Sequence, residues 1–122
     1  MLKKPKKKSL KSLQNKADHL LQELGRKLNQ NCEVCGREMS CLHHFWPKSM
    51  AAILRYNLKN CVALCAGCHI QHHSGNPSIH ATVLEQRGEE WLQELVVIKR
   101  QYFKPSRSYY EDIIRKLKLL LE

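Results

Sequence analysis

The chain has 122 residues, with 21 lysines and arginines against 11 acids and a formal net charge of +10. That length suits one domain with a small core, of the kind that a metal or disulfides often reinforce. No run of about 18 apolar residues is present and no apolar segment follows the basic start, so neither a membrane span nor a secretory signal is expected.

The charge is uneven. Residues 1–27 hold nine lysines and arginines against two acids, and the rest of the chain holds twelve against nine. Such asymmetry points to a polyanionic partner, nucleic acid before membrane. Six cysteines without a signal peptide point to a reducing compartment, the cytoplasm, and to metal binding. Three disulfides in a secreted, toxin-like domain would be the rival reading.

In chain order, "MLKKPKKKSLKS" (1–12) reads as a basic arm, disordered when free. Lys3, Lys4, Lys6, Lys7, Lys8 and Lys11 can meet phosphates there, or simply keep the chain soluble. Leu13, Ala17, Leu20, Leu21, Leu24 and Leu28 recur at helical spacing and predict a helix over 13–28, with Gly25 weakening its last turn. This segment runs to residue 31, and Arg26 and Lys27 end it with positive charge.

A core segment follows over 32–76. "CEVCGRE" is a knuckle with Gly36 after its second cysteine. "MSCLHHFW" and "CVALC" read as short strands, joined by a long loop with a helical turn or two. "AGCHIQHHSG" reads as a helix that stops at Gly75. The C-terminal extension, 77–122, is helical. Asn76 and Pro77 open one helix and Gly88 closes it. A second helix carries Trp91, Leu92, Leu95, Val96, Ile98 and Tyr102 as its apolar positions. A third begins with a capping-box pattern, Ser108 and Glu111, and presents Ile113, Ile114, Leu117, Leu120 and Leu121. These helices complete the core or pair with a second copy. The fold class expected is α+β, mostly helical.

Cys32 with Cys35 and Cys65 with Cys68 form two CxxC pairs. Together they supply the four thiolates of a tetrahedral structural Zn²⁺ site. The 29 residues between the pairs exceed the usual ribbon spacing, so the intervening loop has to project away. Thioredoxin-like redox chemistry needs a βαβ context that is absent. Cys41 and Cys61 are expected as ordinary buried strand residues.

A structural zinc leaves His43, His44, His69 and His73 unexplained. His69 and His73 are four apart on a helix and can reach one ion. His43 or His44 can be the third ligand, since adjacent strand residues face opposite ways. The remaining histidine is then free to act as a base. Three protein ligands leave open positions, as a catalytic metal requires. His72 and His80 read as plain surface or core imidazoles, although His72 can also contact phosphate.

"LHH", the asparagine of "NCVALC", and "CAGCHIQHH" together resemble the HNH nuclease motif, a ββα-metal hairpin and helix bracketed in many members by two CxxC knuckles. The resemblance covers about residues 32 to 75. It implies that His43, His69 and His73 bind a catalytic divalent cation, that His44 is the general base, and that Asn60 orients it by holding the loop between the strands. It implies DNA cleavage to 5′-phosphate and 3′-hydroxyl ends. Mg²⁺ is the usual ion for such enzymes, whereas an all-histidine site favours Mn²⁺, Ni²⁺ or Zn²⁺. "LRYNLKN" and "SGNPSIHATVLEQRGEEWLQEL" are similar to the phage NinG/Rap recombination endonucleases. That likeness suggests branched DNA as substrate, and a bacterial cell or phage-infected host.

The expected DNA contacts are the lysine arm, Arg26, Lys27, Lys48, Arg55 and Lys59, with low sequence specificity or structure selectivity. Arg55 has an alternative, an ion pair with an acid of the fold. A homodimer through the last helix would present two active sites to two strands. The competing function is a zinc-stabilised DNA-binding accessory module without catalysis, which would not need the histidine set. A zinc-ribbon interaction adaptor explains neither the histidines nor the basic arm.

Overall fold

The first helix starts three residues before the apolar spacing predicts. The Ser9 hydroxyl accepts the Ser12 N–H at 3.0 Å, which caps α1 (Leu10–Leu28) and draws residues 10–12 out of the expected arm. The structure, a computed structural model, describes residues 7–122; Lys3, Lys4 and Lys6 lie outside the described residues. Leu13, Ala17, Leu20, Leu21 and Leu24 are all buried along one face of α1, whereas Leu28, expected with them, is 59% exposed at the helix end. Gly25 is there for proximity. A Cβ at this position would lie 2.2 Å from Cγ of Leu42, so only glycine lets α1 lie this close to the following strand.

That strand is β1 (Cys41–His44), paired antiparallel with β2 (Cys61–Leu64) in the register Cys41↔Leu64 to His44↔Cys61. Alternation divides the hairpin. Leu42, Cys61 and Ala63 join α1 in one apolar cluster, while Val62 and Leu64 face a second cluster with Ile79 and Val83. The hairpin is tied on both flanks. The Gln22 amide pairs with Leu42 N–H at 2.9 Å and Leu42 C=O at 3.0 Å, and Glu33 N–H donates to the Ala63 carbonyl at 2.9 Å. Arg87 donates to the Cys61 carbonyl at 2.9 Å.

Between the strands, two 3₁₀ turns (Ala52–Leu54 and Leu58–Asn60) supply the helical turns expected. This loop leaves the knuckles, then packs Ala51 and Leu54 against Leu95, beside Trp46 and Trp91. α2 (Ala66–His73) is capped by the Cys65 sulfur, which accepts the Cys68 N–H at 3.3 Å. At α3 (Ser78–Arg87) the Asn76 side-chain Oδ1 accepts the Ser78 N–H at 3.0 Å, and Pro77 is already helical at φ −74°. Gly88, at φ +90°, makes the break before α4 (Glu89–Lys99).

Two expectations fail in the C-terminal extension. α4 ends at Lys99, and Tyr102 lies beyond it, 91% exposed. α5 (Arg107–Leu121) is capped by Ser106, not Ser108. Ser106 is extended (φ −124°, ψ 170°) and its hydroxyl accepts the Tyr109 N–H at 3.2 Å, while Ser108 sits inside the first turn. α5 lies along α1. Tyr110 and Leu117 are buried against it, Gln14 donates to the Tyr110 hydroxyl at 3.2 Å, and Lys27 donates to the Leu121 carbonyl at 2.8 Å. The apolar face of α5 is thereby used within the chain, leaving Leu119 and Leu120 outward. The fold is α+β and mostly helical, with five α-helices and one two-stranded sheet among the described residues. None of these helices is long and apolar enough to cross a membrane.

Candidate metal centres

The first centre forms where the knuckle meets the start of α2. Gly36, at φ +78°, turns the chain so that its N–H reaches the Cys32 carbonyl at 3.0 Å. The Glu33–Ala63 hydrogen bond fixes this knuckle beside β2. Sulfurs of Cys32, Cys35, Cys65 and Cys68 all lie within 4.8 Å of one another, with Cys35 and Cys65 at 3.5 Å. A tetrahedral zinc with Zn–S bonds of about 2.3 Å sets its sulfurs about 3.8 Å apart, so the donors fit a closed, four-coordinate ion. The backbone prepares them. Burial opposes ionisation of Cys32, but amides of Cys35, Cys65 and Val34 outweigh it and bring its thiol down to about 7. The Cys68 amide likewise lowers Cys65, whereas burial raises Cys68.

The second centre surrounds His43, which is 7% exposed on β1. His69, His72 and His73 reach it from α2, and His80 reaches it from α3. Two sets of three nitrogens meet the 4.8 Å limit: His43, His69 and His73, and His43, His72 and His80. Nε2 of His69 and Nε2 of His73 are 2.9 Å apart, as are those of His43 and His80. Burial, reinforced by the neighbouring rings, drives His43 down to about 3 and His80 to about 4, and lowers His69 and His72. These rings are neutral at pH 7, the form that ligates metal.

The sequence reading set His72 and His80 aside, and the structure brings both to His43. They stand on either side of the Gly75 turn, so no helical period links them and nothing local signals the pairing. Cys41 also departs from expectation. It is half-buried rather than buried, and its sulfur lies 3.4 Å from Nδ1 of His69. Cys61 is buried as expected, and burial pushes its thiol up to about 12.

His44 faces the other way, toward α1. Its Nε2 is 2.8 Å from the Arg55 carbonyl. A carbonyl only accepts, so Nε2 carries the proton and Nδ1 keeps the lone pair. Burial lowers His44 against the pull of that hydrogen bond, so the ring is neutral at pH 7. The carbonyl is fixed in turn. Asp18 binds the Arg55 guanidinium (Nε at 2.8 Å) and accepts from the Tyr56 hydroxyl at 2.8 Å. Burial opposes the Asp18 charge, yet these partners together hold its carboxyl below the usual range. Asn60, fully buried, closes the neck of the loop. Its amide donates to the Trp46 carbonyl at 3.1 Å and accepts the Trp46 N–H at 2.9 Å. His43, His44, His69, His72, His73 and Lys48 line one cleft of about 500 Å³.

The expected DNA contacts separate by their partners. Arg55 pairs with Asp18, the acid of the fold that its alternative reading called for. Lys27 caps the end of α5, and Lys59 meets Glu94 at 3.2 Å on the surface. Among the described residues, Lys48 alone of the set stands at the histidine cleft. Arg26 lies with Asn29 and Gln30 in a separate hollow. Lys7, Lys8 and Lys11 are exposed near the start of α1. No family model matches the chain, and no curated protein or solved structure matches it.

Proposed function

We propose that the protein is a metal-dependent DNA endonuclease of HNH type. The observation that carries this reading is the division across β1. His43 meets the α2 imidazoles on one side, His44 is tethered to the Arg55 carbonyl on the other, and both border the same cleft. A binding module has no need for a neutral, oriented imidazole beside a metal-ready cluster.

In this reading His44 takes a proton from water through Nδ1 as the water attacks phosphorus in line. Its Nε2–H stays on the Arg55 carbonyl, which stabilises the imidazolium formed and holds the ring still. Asn60 keeps the loop closed, and the Asp18–Arg55 pair keeps the carbonyl in place. Lys48 steers the phosphate toward the cleft by charge. A divalent cation held by His43, His69 and His73 would supply charge stabilisation at the phosphate and the leaving 3′-oxygen. The products are 5′-phosphate and 3′-hydroxyl ends. Among the described residues Lys48 is the one cationic group lining the cleft, which supports low sequence specificity or selection by DNA shape.

Plasmid nicking with Mg²⁺, Mn²⁺ and Ni²⁺ tests the reading, comparing wild type with His44→Ala. A loss of about 100- to 10,000-fold in the variant is expected. Equal rates would remove His44 as the base. Absence of cleavage on plasmid, single-stranded and branched DNA with every ion would instead favour a zinc-stabilised DNA-binding module.

A further inference from the structure

His43 stands between two groups of imidazoles, one from α2 alone and one that spans α2 and α3. His69, His72 and His73 border the cleft together with His43, whereas His80 takes no part in lining it. The second group is held by its own stacking. His72 lies on the His80 ring at 4.0 Å and Phe45 lies on it at 4.3 Å, each at an interplanar angle of 18°. The His43 and His80 Nε2 atoms are 2.9 Å apart. One polar atom in the group is unpaired: Nδ1 of His72 is shielded from solvent and makes no hydrogen bond. A shielded, unpartnered nitrogen among converging imidazoles is what a ligand position looks like before its ion is added.

We propose that His43, His72 and His80 form a second divalent-cation seat, beside Phe45, which takes Zn²⁺ and shares His43 with the seat that His69 and His73 complete. The sharing follows from the ring itself. A neutral imidazole has one lone pair, so His43 ligates one ion at a time and the two seats are alternatives. The surroundings sort the ions. Three imidazole nitrogens from partly buried or buried rings suit four-coordinate zinc with one added ligand. A six-coordinate ion that keeps several waters suits the other set, in which His73 is exposed. α3, outside the hairpin and helix that carry the other ligands, thereby gains a part in metal choice.

The seat follows from its donors and their stacking and does not depend on cleavage, so the test reads binding. Zn²⁺ is titrated into the full chain with its knuckle zinc already in place. Calorimetry counts the ions, and nitrogen-15 shifts of the histidine rings report which nitrogens ligate. One further ion is expected, with ring signals of His43, His72 and His80 moving. A His69→Gln/His73→Gln chain should still bind that ion, within about tenfold of wild type, while His72→Gln/His80→Phe should lose more than about tenfold. Two further ions bound at once would overturn the sharing. Shifts confined to His43, His69 and His73 would overturn the seat, as would loss of binding in a His69→Gln/His73→Gln chain that melts like wild type. Should that variant not fold, the wild-type ring shifts decide. A protein that cleaves nothing leaves each of these outcomes readable.

Discussion

The same eight-residue helix, α2, serves both metal-ready clusters, and it serves them differently. At its start Cys65 and Cys68 complete a set of four thiols, one for each corner of a tetrahedron, aligned by backbone amides and closed to further ligands. One turn later His69, His72 and His73 join a set of five imidazoles, more than one ion can use, beside a cleft. A donor set matched to its coordination number fixes a structure. A set with donors to spare leaves room for exchange of water, substrate or ion. The neighbouring positions also make the second cluster depend on the first, because the knuckle zinc would set where α2 begins.

The largest effect should come from breaking the closed set. Cys65→Ser removes a thiolate and the sulfur cap of α2, and structural zinc sites contribute on the order of 10 kcal/mol to small folds. We expect loss of zinc and of cooperative melting by circular dichroism; a variant that keeps its metal and melts unchanged would refute the four-cysteine site. His44→Ala should do the reverse. It should cut cleavage by the 100- to 10,000-fold expected of a general base while leaving zinc content and melting intact, and a parallel loss of stability would mean that His44 serves the fold.

Gly25→Ala probes what joins the two regions. Its Cβ meets Leu42, the residue between Cys41 and His43, at 2.2 Å. Overpacking of this kind costs about 1–3 kcal/mol, more than the roughly 1 kcal/mol that alanine gains in a helix. Urea unfolding should therefore show net destabilisation, and a stabilised variant would mean that β1 yields easily. Asp18→Asn should cost about 1–2 kcal/mol by weakening its bonds to Arg55 and Tyr56. The folded Asp18 carboxyl lies below its unfolded value, so its contribution is present above pH 4 or so and fades as pH falls through the folded value. Wild-type and variant stabilities should converge in acid; a constant gap would assign the loss to packing.

What the sequence made legible is what adjacency encodes. The apolar period of α1, the two short strands, the stop at Gly75, the Asn76–Pro77 start and the four cysteines are local patterns, and the structure carries them. The α5 cap was misread because Ser106 and Ser108 both lie near the helix start, and the backbone decides between them. Gly25 looked like a weak point because its reason, Leu42, is far along the chain. His80 was set aside for the same cause. The Asp18–Arg55 pair spans 37 residues and could be weighed only as an alternative.

The hairpin's flanking hydrogen bonds have one more effect. A two-stranded sheet ordinarily presents two unpaired edges, each a template for another chain. Here a glutamine side chain occupies the Leu42 amide on one edge, and Glu33 and Arg87 take the Ala63 and Cys61 carbonyls on the other. Strand addition is thereby discouraged from either side. A partner is directed away from the sheet edges, and the short sheet is shielded from seeding aggregates of its own kind.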